Sequence, residues 1–532
     1  MTRAPRTLTE AVDAICSGAC SSSELVEQAL DAAERYDDKL GVFLSRFDEQ
    51  ARADAASADR AIAGGASLGP LHGIPVGVKD IIATREGPST SQSPAMPAPW
   101  GPEEATVVQR LRDAGAIVIG KTSTLEFAYG LPDPTLPFPV PTNPWDVSRW
   151  PGGSSSGSGA GVAAGMMLGA LGTDTGGSVR VPAAMCGISG LKPTTGTIDD
   201  HGLVPLAASV DTIGPMARSA RDCAVLLAVM TGSDAPAAIE RLDGLRVGVA
   251  TMAAMSGAEA DPAIAELLDD AVAQLESLGA TAVPVDLPLY EEVVDSDYLT
   301  IVAERLSWHR PHFPDNWDRY GADARSAMLR AAHYTAADYV QAQRVRRMGQ
   351  NAVAALFADI DLIVSPMCSR TAPPITELGD CMSTWKSLVH APYWNALGNP
   401  AASVPMGFAG NGLPIGLQLI GRPRQDAFVL QVAEAYQQVT DWHLRTPDLA
   451  RIDGTEAGVP IAAPVAPGLE TLDPGALELA RELLHRSGIA PSVGDLASLT
   501  SGMAAARRST DRLWNVACGD EPGALALSYP EV

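Results

Sequence analysis

The chain has 532 residues, of which 46% are hydrophobic and 19% charged, a balance that excludes a disordered polymer. A formal net charge of −25 argues against a surface built for nucleic acid or an anionic membrane, and suits a protein that handles small molecules. The length suggests two to four domains unless one large α/β sheet absorbs most of it. Seven scattered cysteines make no disulfide framework, and the Cys16/Cys20 pair lacks the further ligands a metal needs. No apolar leader follows Met1, and the longest mostly apolar run, 159–172, is too short and too glycine-rich to span a bilayer. These readings predict a cytoplasmic protein with no metal and no cofactor.

Residues 7–63 read as helices, with capping-box patterns at Thr7-x-x-Glu10 and Ser21-x-x-Glu24 and a break at Gly64-Gly65. In Gly73-Ile-Pro-Val-Gly-Val-Lys-Asp80 the alternation of Ile74, Val76 and Val78 predicts a short strand ending at Lys79. A lysine there is unusual, because burying an ammonium is costly. Thr106–Ala114 is helical and Ala116–Ile119 a strand. Gly115–Thr122 matches the phosphate-loop pattern literally, but Ala-Ile-Val-Ile between its glycines favours an extended chain that cannot curl round phosphates. The Pro-rich stretch 130–153 is a loop leading into Gly152-Gly-Ser-Ser-Ser-Gly157. Residues 162–171 then read as a packed helix, and a second glycine turn follows at Gly172-Thr-Asp-Thr-Gly-Gly-Ser178. Beyond it, helix 218–231, strand 245–249, helix 262–278 and strand 281–286 alternate as in α/β proteins. Residues 290–357 are mostly helical, and His309 and His312 within them read as surface loop histidines. Strands are expected at 361–366, 400–405 and 414–421, and a helix at 426–438. From Gly454 the composition shifts to Pro and Ala, so 454–469 reads as a linker and 470–532 as a small helical appendage.

No Ser-His-Asp order appears, and the serine loop has no nucleophile elbow. A lysine can serve as base if burial lowers its pKa from about 10.4 towards neutrality. The apolar neighbours Val78, Ile81 and Ile82 offer Lys79 that setting. In Thr175-Gly176-Gly177-Ser178 the glycines allow the dihedrals that bring backbone N–H groups onto a substrate oxyanion. Asp174 and Arg180 flank the turn as a bracing ion pair.

Taken together, Gly73–Asp80, Gly120–Phe127, Gly152–Gly157, Gly172–Pro182, Cys186–Thr194 and Gly412–Gly421 resemble the amidase signature family across about residues 8–445. The resemblance implies a large twisted mixed β-sheet covered by helices on both faces, filling residues 1–453. It also implies a Ser–cis-Ser–Lys triad. Ser178 would be the nucleophile that forms an acyl-enzyme, Ser154 the bridging serine and Lys79 the base. The N–H groups of Thr175, Gly176, Gly177 and Ser178 would form the oxyanion hole, with Asp174 and Arg180 in support. Two features depart from the family pattern. Ser156 stands where many members have Gly, and the loop 131–140 is unusually rich in proline.

The function so implied is a freestanding serine amidohydrolase acting on a carboxylic amide, or on a carbamate, urea or ester analogue. Its alternatives are the glutaminase subunit of a tRNA-dependent amidotransferase and a non-catalytic binding protein on the same fold. The expected partner is a small-molecule amide, with no nucleic acid and no membrane; a homodimer is the assembly to test. The appendage is expected to stand in for a small helical partner subunit of the kind some relatives use.

Overall fold

Short runs of Val, Ile, Leu and Gly become the strands of one sheet. The computed structural model describes residues 5–255, 260–379, 381–452, 477–478, 481–482, 485 and 492–519. Its strands are β1 (Phe43–Arg46), β2 (Pro75–Lys79), β3 (Ile117–Thr122), β4 (Gly169–Thr173), β5 (Ser189–Lys192), β6 (Ile213–Ala217), β7 (Arg246–Val249), β8 (Thr281–Pro284), β9 (Leu362–Pro366), β10 (Ala401–Phe408) and β11 (Pro414–Ile420). They form an 11-stranded sheet in the order β1-β3-β2-β4-β6-β5-β10-β11-β9-β7-β8. The sheet is mixed. β3, β2 and β4 run parallel, as do β9, β7 and β8, while the strands between β4 and β9 pair antiparallel. Helices cover both faces, which is the architecture the resemblance implied. Every residue of β2, β3, β4, β6, β9 and β11 is buried, so these strands read as apolar runs without a polar alternation.

The parallel trio positions the site. Val78 of β2 lies opposite Lys121 of β3 on one side and Leu171 of β4 on the other, so Lys79 leaves the sheet between two neighbours. The segment that mimics a phosphate loop is strand β3. Lys121 within it is buried against Asp80, with Nζ 3.3 Å from the carboxylate, and donates to the Ile82 carbonyl.

Three readings need correction. The stretch 162–171 is not one helix. A helix runs from Ser156 to Ala163, the chain turns through Gly165 at φ +73°, and β4 begins at Gly169. Its small residues suit a strand wedged between β2 and β6, where close packing outweighs helix propensity. β1, β5 and β6 were not legible as strands, being four or five residues long and carrying Ser, Gly or Pro. His309 is not on a surface loop; it is fully buried in an aromatic cluster with Phe127, Trp308 and Tyr320. The linker 454–469 lies outside the described residues.

All seven cysteines are free thiols. Among the described residues no helix is long and apolar enough to cross a membrane, and no cluster of three or more metal-ligating side chains occurs.

Candidate active site

Lys79, Ser154 and Thr173 meet where β2 and β4 end. The Lys79 side chain is fully buried, and its Nζ donates to Ser154 Oγ at 2.8 Å and to Thr173 Oγ1 at 2.8 Å. Burial pushes its pKa down to about 7, against the opposing pull of the Asp174 and Asp211 carboxylates. The Gly153–Ser154 peptide bond is cis.

The serine loop is stitched to its surroundings. Ser155 N–H donates to the Ser178 carbonyl at 3.1 Å, which sets the two turns side by side. Ser155 Oγ accepts from Thr173 N–H at 3.1 Å and donates to the Thr173 carbonyl at 3.2 Å. Ser156 Oγ donates to the Gly152 carbonyl at 2.7 Å, so the hydroxyl that replaces the more usual glycine is satisfied within the loop. Among the described residues no direct hydrogen bond joins the hydroxyls of Ser154 and Ser178. Hydrogen bonds of this kind often close only when substrate is bound.

The second turn hangs on Asp174. Its Oδ1 accepts from Gly177 N–H at 2.8 Å, and its Oδ2 from the N–H groups of Val179 at 3.2 Å and Arg180 at 3.3 Å. The Arg180 guanidinium grips the same carboxylate with Nε at 2.9 Å and Nη2 at 2.8 Å, both side chains being fully buried. Although burial alone would raise it, the Arg180 charge and hydrogen bonds hold the Asp174 carboxyl well below the usual range. The brace expected from sequence is present, and it is wider than expected. Asn395 donates to Asp174 Oδ1 at 2.7 Å, and Arg180 reaches Asn395 and Gln418 at 2.6 and 2.5 Å. Asn395 and Gln418 lie more than 200 residues along the chain from the turn, and no local pattern marks them.

Gly177 departs from its expected part. Its N–H is committed to Asp174, so it is not a donor left for an oxyanion. Its contribution is shape. It sits at φ +117°, and a Cβ there would lie 2.7 Å from that of Ala391. Thr175 is anchored through Oγ1, which donates to Asp211 at 2.6 Å. Among the described residues the backbone N–H groups of Thr175, Gly176 and Ser178 have no internal acceptor.

Because Asp174 and Arg180 satisfy each other in the buried interior, removing one strands the other. Arg180→Met is expected to cost about 3–5 kcal/mol of stability, since a buried charge without its partner is expensive. Urea unfolding of the variant beside the parent measures it. An Asp174→Asn/Arg180→Met double variant should cost less than the two single losses combined.

A cavity of about 250 Å³ opens beside Ser178. Its walls are chiefly apolar and aromatic, with Tyr129, Tyr290, Tyr298, Ile301, Trp385 and Val389 among them. The Arg305 guanidinium lies 4.5 Å over the Tyr129 ring and fixes it from behind. Residues of the 128–130 turn, of the segment 381–392 and of the helix Tyr290–His309, together with Leu206 and Arg512, all reach the cavity.

Arg512 comes from the C-terminal helix Val493–Asn515, which packs on the helices Tyr290–His309, Ala322–Ala331 and Ala336–Leu356. It pairs with Glu291, and its Nε stands 3.0 Å from Asp295, which also accepts from Lys386 at 2.7 Å and Ser509 at 3.0 Å. Leu496, Leu499 and Leu513 of this helix are buried, each contributing about 1.5–3 kcal/mol of burial. Ending the chain at residue 490 is expected to lower Tm by several degrees and to reduce kcat/KM, because Arg512 leaves the cavity and its partners Glu291 and Asp295 lose it. Calorimetry and steady-state kinetics on the shortened chain read both effects.

The Amidase family model matches residues 24–430. The chain is 38% identical over 483 residues to a glutamyl-tRNA(Gln) amidotransferase subunit from Chloroflexus aggregans, covering 84% of this chain and 98% of that protein. A crystal structure of an amidase superposes with a TM-score of 0.75 at 30% identity, over 81% of this chain and 99% of its own. The native peptide amidase of Stenotrophomonas maltophilia superposes with a TM-score of 0.70 at 28% identity, over 84% and 99%. The chain belongs to the amidase signature family. It is therefore an enzyme of amide C–N bond chemistry.

Proposed function

We propose that this chain cleaves the C–N bond of a carboxamide through an acyl-enzyme on Ser178. The observation that carries the reading is a buried Lys79, titrating near neutrality, with its nitrogen 2.8 Å from Ser154 Oγ. A lysine so placed is half neutral near pH 7 and can take a proton. Ser178 Oγ attacks the carbonyl carbon as its proton passes to Ser154 and the Ser154 proton passes to Lys79. The N–H groups of Thr175, Gly176 and Ser178 receive the oxyanion, with Gly177 shaping the turn and Asp174 and Arg180 holding it. On collapse the C–N bond breaks, and the proton returns from Lys79 through Ser154 to the departing nitrogen. Water then enters, loses its proton along the same relay and releases the acid.

A screen of aliphatic, aryl and amino-acid amides for release of ammonia or amine tests the reaction. Turnover that is lost in Ser178→Ala supports it, and turnover unaffected by that change rejects it.

A second reading has a specific observation behind it. The curated relatives, of which the chain covers nearly the whole length, bear the name of an amidotransferase subunit. That name favours glutamine as the amide, with a partner taking the ammonia, over a hydrolase acting alone. The relay serves both readings. Ammonia released from glutamine only when partner subunits are added supports the amidotransferase reading; amide hydrolysis by the purified chain supports the freestanding enzyme.

A further inference from the structure

The cavity beside Ser178 holds several acids, and they are not equivalent. Glu291 and Asp295 are matched by Arg512, Lys386 and Ser509. Asp297 lies on the same helix and is as buried as Asp295, at 1% exposed, yet among the described residues neither of its carboxyl oxygens has a hydrogen-bond partner. It lines the cavity together with Gly176 and Ser178. Its Oδ2 lies 3.8 Å from where a Cβ on Gly176 would stand, so it faces the turn that carries the nucleophile. Of the cations that act on it, Arg346 has the largest influence, ahead of Arg180 and Lys192, and the Arg346 guanidinium also donates to the carbonyls of Ala396 and Ser209.

A carboxyl in this position is costly to leave unmatched, and a donor brought by the substrate removes the cost. We infer that Asp297 is a specificity-determining residue that receives an ammonium or amine N–H carried on the carbon next to the scissile carbonyl. The substrate class is then an amide with an α-amino group and an apolar side chain, the latter matching the aromatic walls. This inference rests on the amide-cleaving reading and narrows it. Asp297 and the Gly176 turn would grip neighbouring groups, the amine on the α-carbon and the oxygen of the carbonyl beside it, and so fix which face of the carbonyl meets Ser178. Burial holds the empty carboxyl well above the usual range, and an arriving ammonium offsets that cost by pairing.

The test uses a matched pair, phenylalaninamide and its des-amino analogue 3-phenylpropanamide, on the full chain. Calorimetry with Ser178→Ala separates binding from turnover. The expected result is at least tenfold tighter binding of the amino-bearing amide, a ratio that falls towards one when Asp297→Asn is added. Kinetics on the otherwise unchanged enzyme should show the same ratio in kcat/KM, carried by KM more than by kcat. Equal binding of the two amides, or a ratio that survives Asp297→Asn, overturns the inference. A clear binding preference without hydrolysis of either amide would instead count against the amide-cleaving reading and leave the Asp297 site standing. Thermal melts of Asp297→Asn and Asp297→Ala identify a general loss of fold, which would lower affinity for both amides alike.

Discussion

Ser178→Ala is expected to reduce amide turnover by about 10⁴–10⁶-fold while leaving the fold intact, the scale seen when a covalent nucleophile is removed from a concerted set. The loss is in kcat, because the hydroxyl forms its bond only as the reaction proceeds. Substrate affinity should change little, since the cavity walls and the Asp174–Arg180 brace are untouched. Ser178 is anchored by its backbone, with its carbonyl accepting from Ser155 N–H, so the turn does not depend on the hydroxyl. Stopped-assay kinetics with a melting curve on the same sample distinguish this from misfolding.

The second large effect is at Lys79. Lys79→Ala is expected to cut turnover by about 10³–10⁴-fold, at the upper end of what a general base contributes. The pH profile carries the diagnosis. The base must be neutral, so kcat/KM in the parent enzyme rises through about pH 7 and then levels. In Lys79→Ala that rising limb should vanish. The same group leaves a mark on stability. The folded protein holds Lys79 neutral above about pH 7, whereas the unfolded chain keeps it protonated up to its ordinary value of 10.5. Between those values the unfolded state binds the extra proton, so this group's contribution to stability rises with pH, by up to about 1.4 kcal/mol per unit. Below about pH 7 both states are protonated, and the full penalty of burying the cation is present. Lys79→Met removes that slope. Urea titrations of parent and variant at pH 7, 8 and 9 measure the difference, and parallel curves would show that Lys79 is charged in the folded protein.

Much of this site was readable along the chain because its parts are local in sequence. The strand ending at Lys79 announces itself by alternation, and the two glycine turns concentrate their serines within a stretch of 29 residues from Gly152 to Arg180. The partners of the Asp174–Arg180 brace are six positions apart, and the pair could be expected from charge and spacing. What escaped is what the fold brings in from afar. Asn395 and Gln418 complete the brace, and Asp211 anchors Thr175, each through an isolated polar residue in otherwise apolar or turn-like sequence. Thr173 was hidden because the segment before it reads as a helix until β2 and β6 claim it as a strand. The engagement of Gly177 N–H by Asp174 is a matter of side-chain direction that spacing does not encode. Tyr290, Tyr298 and Arg512 reach the cavity only because two long helices pack beside it.

Trapping the acyl-enzyme tests the central claim most directly. The protein would be treated with a serine-directed phosphonate, weighed intact and digested to locate the adduct. One adduct per chain, mapping to Ser178, absent from Ser178→Ala and formed much more slowly in Lys79→Ala, is the predicted result. An adduct at another serine, or equal labelling of Ser178→Ala, would contradict the account.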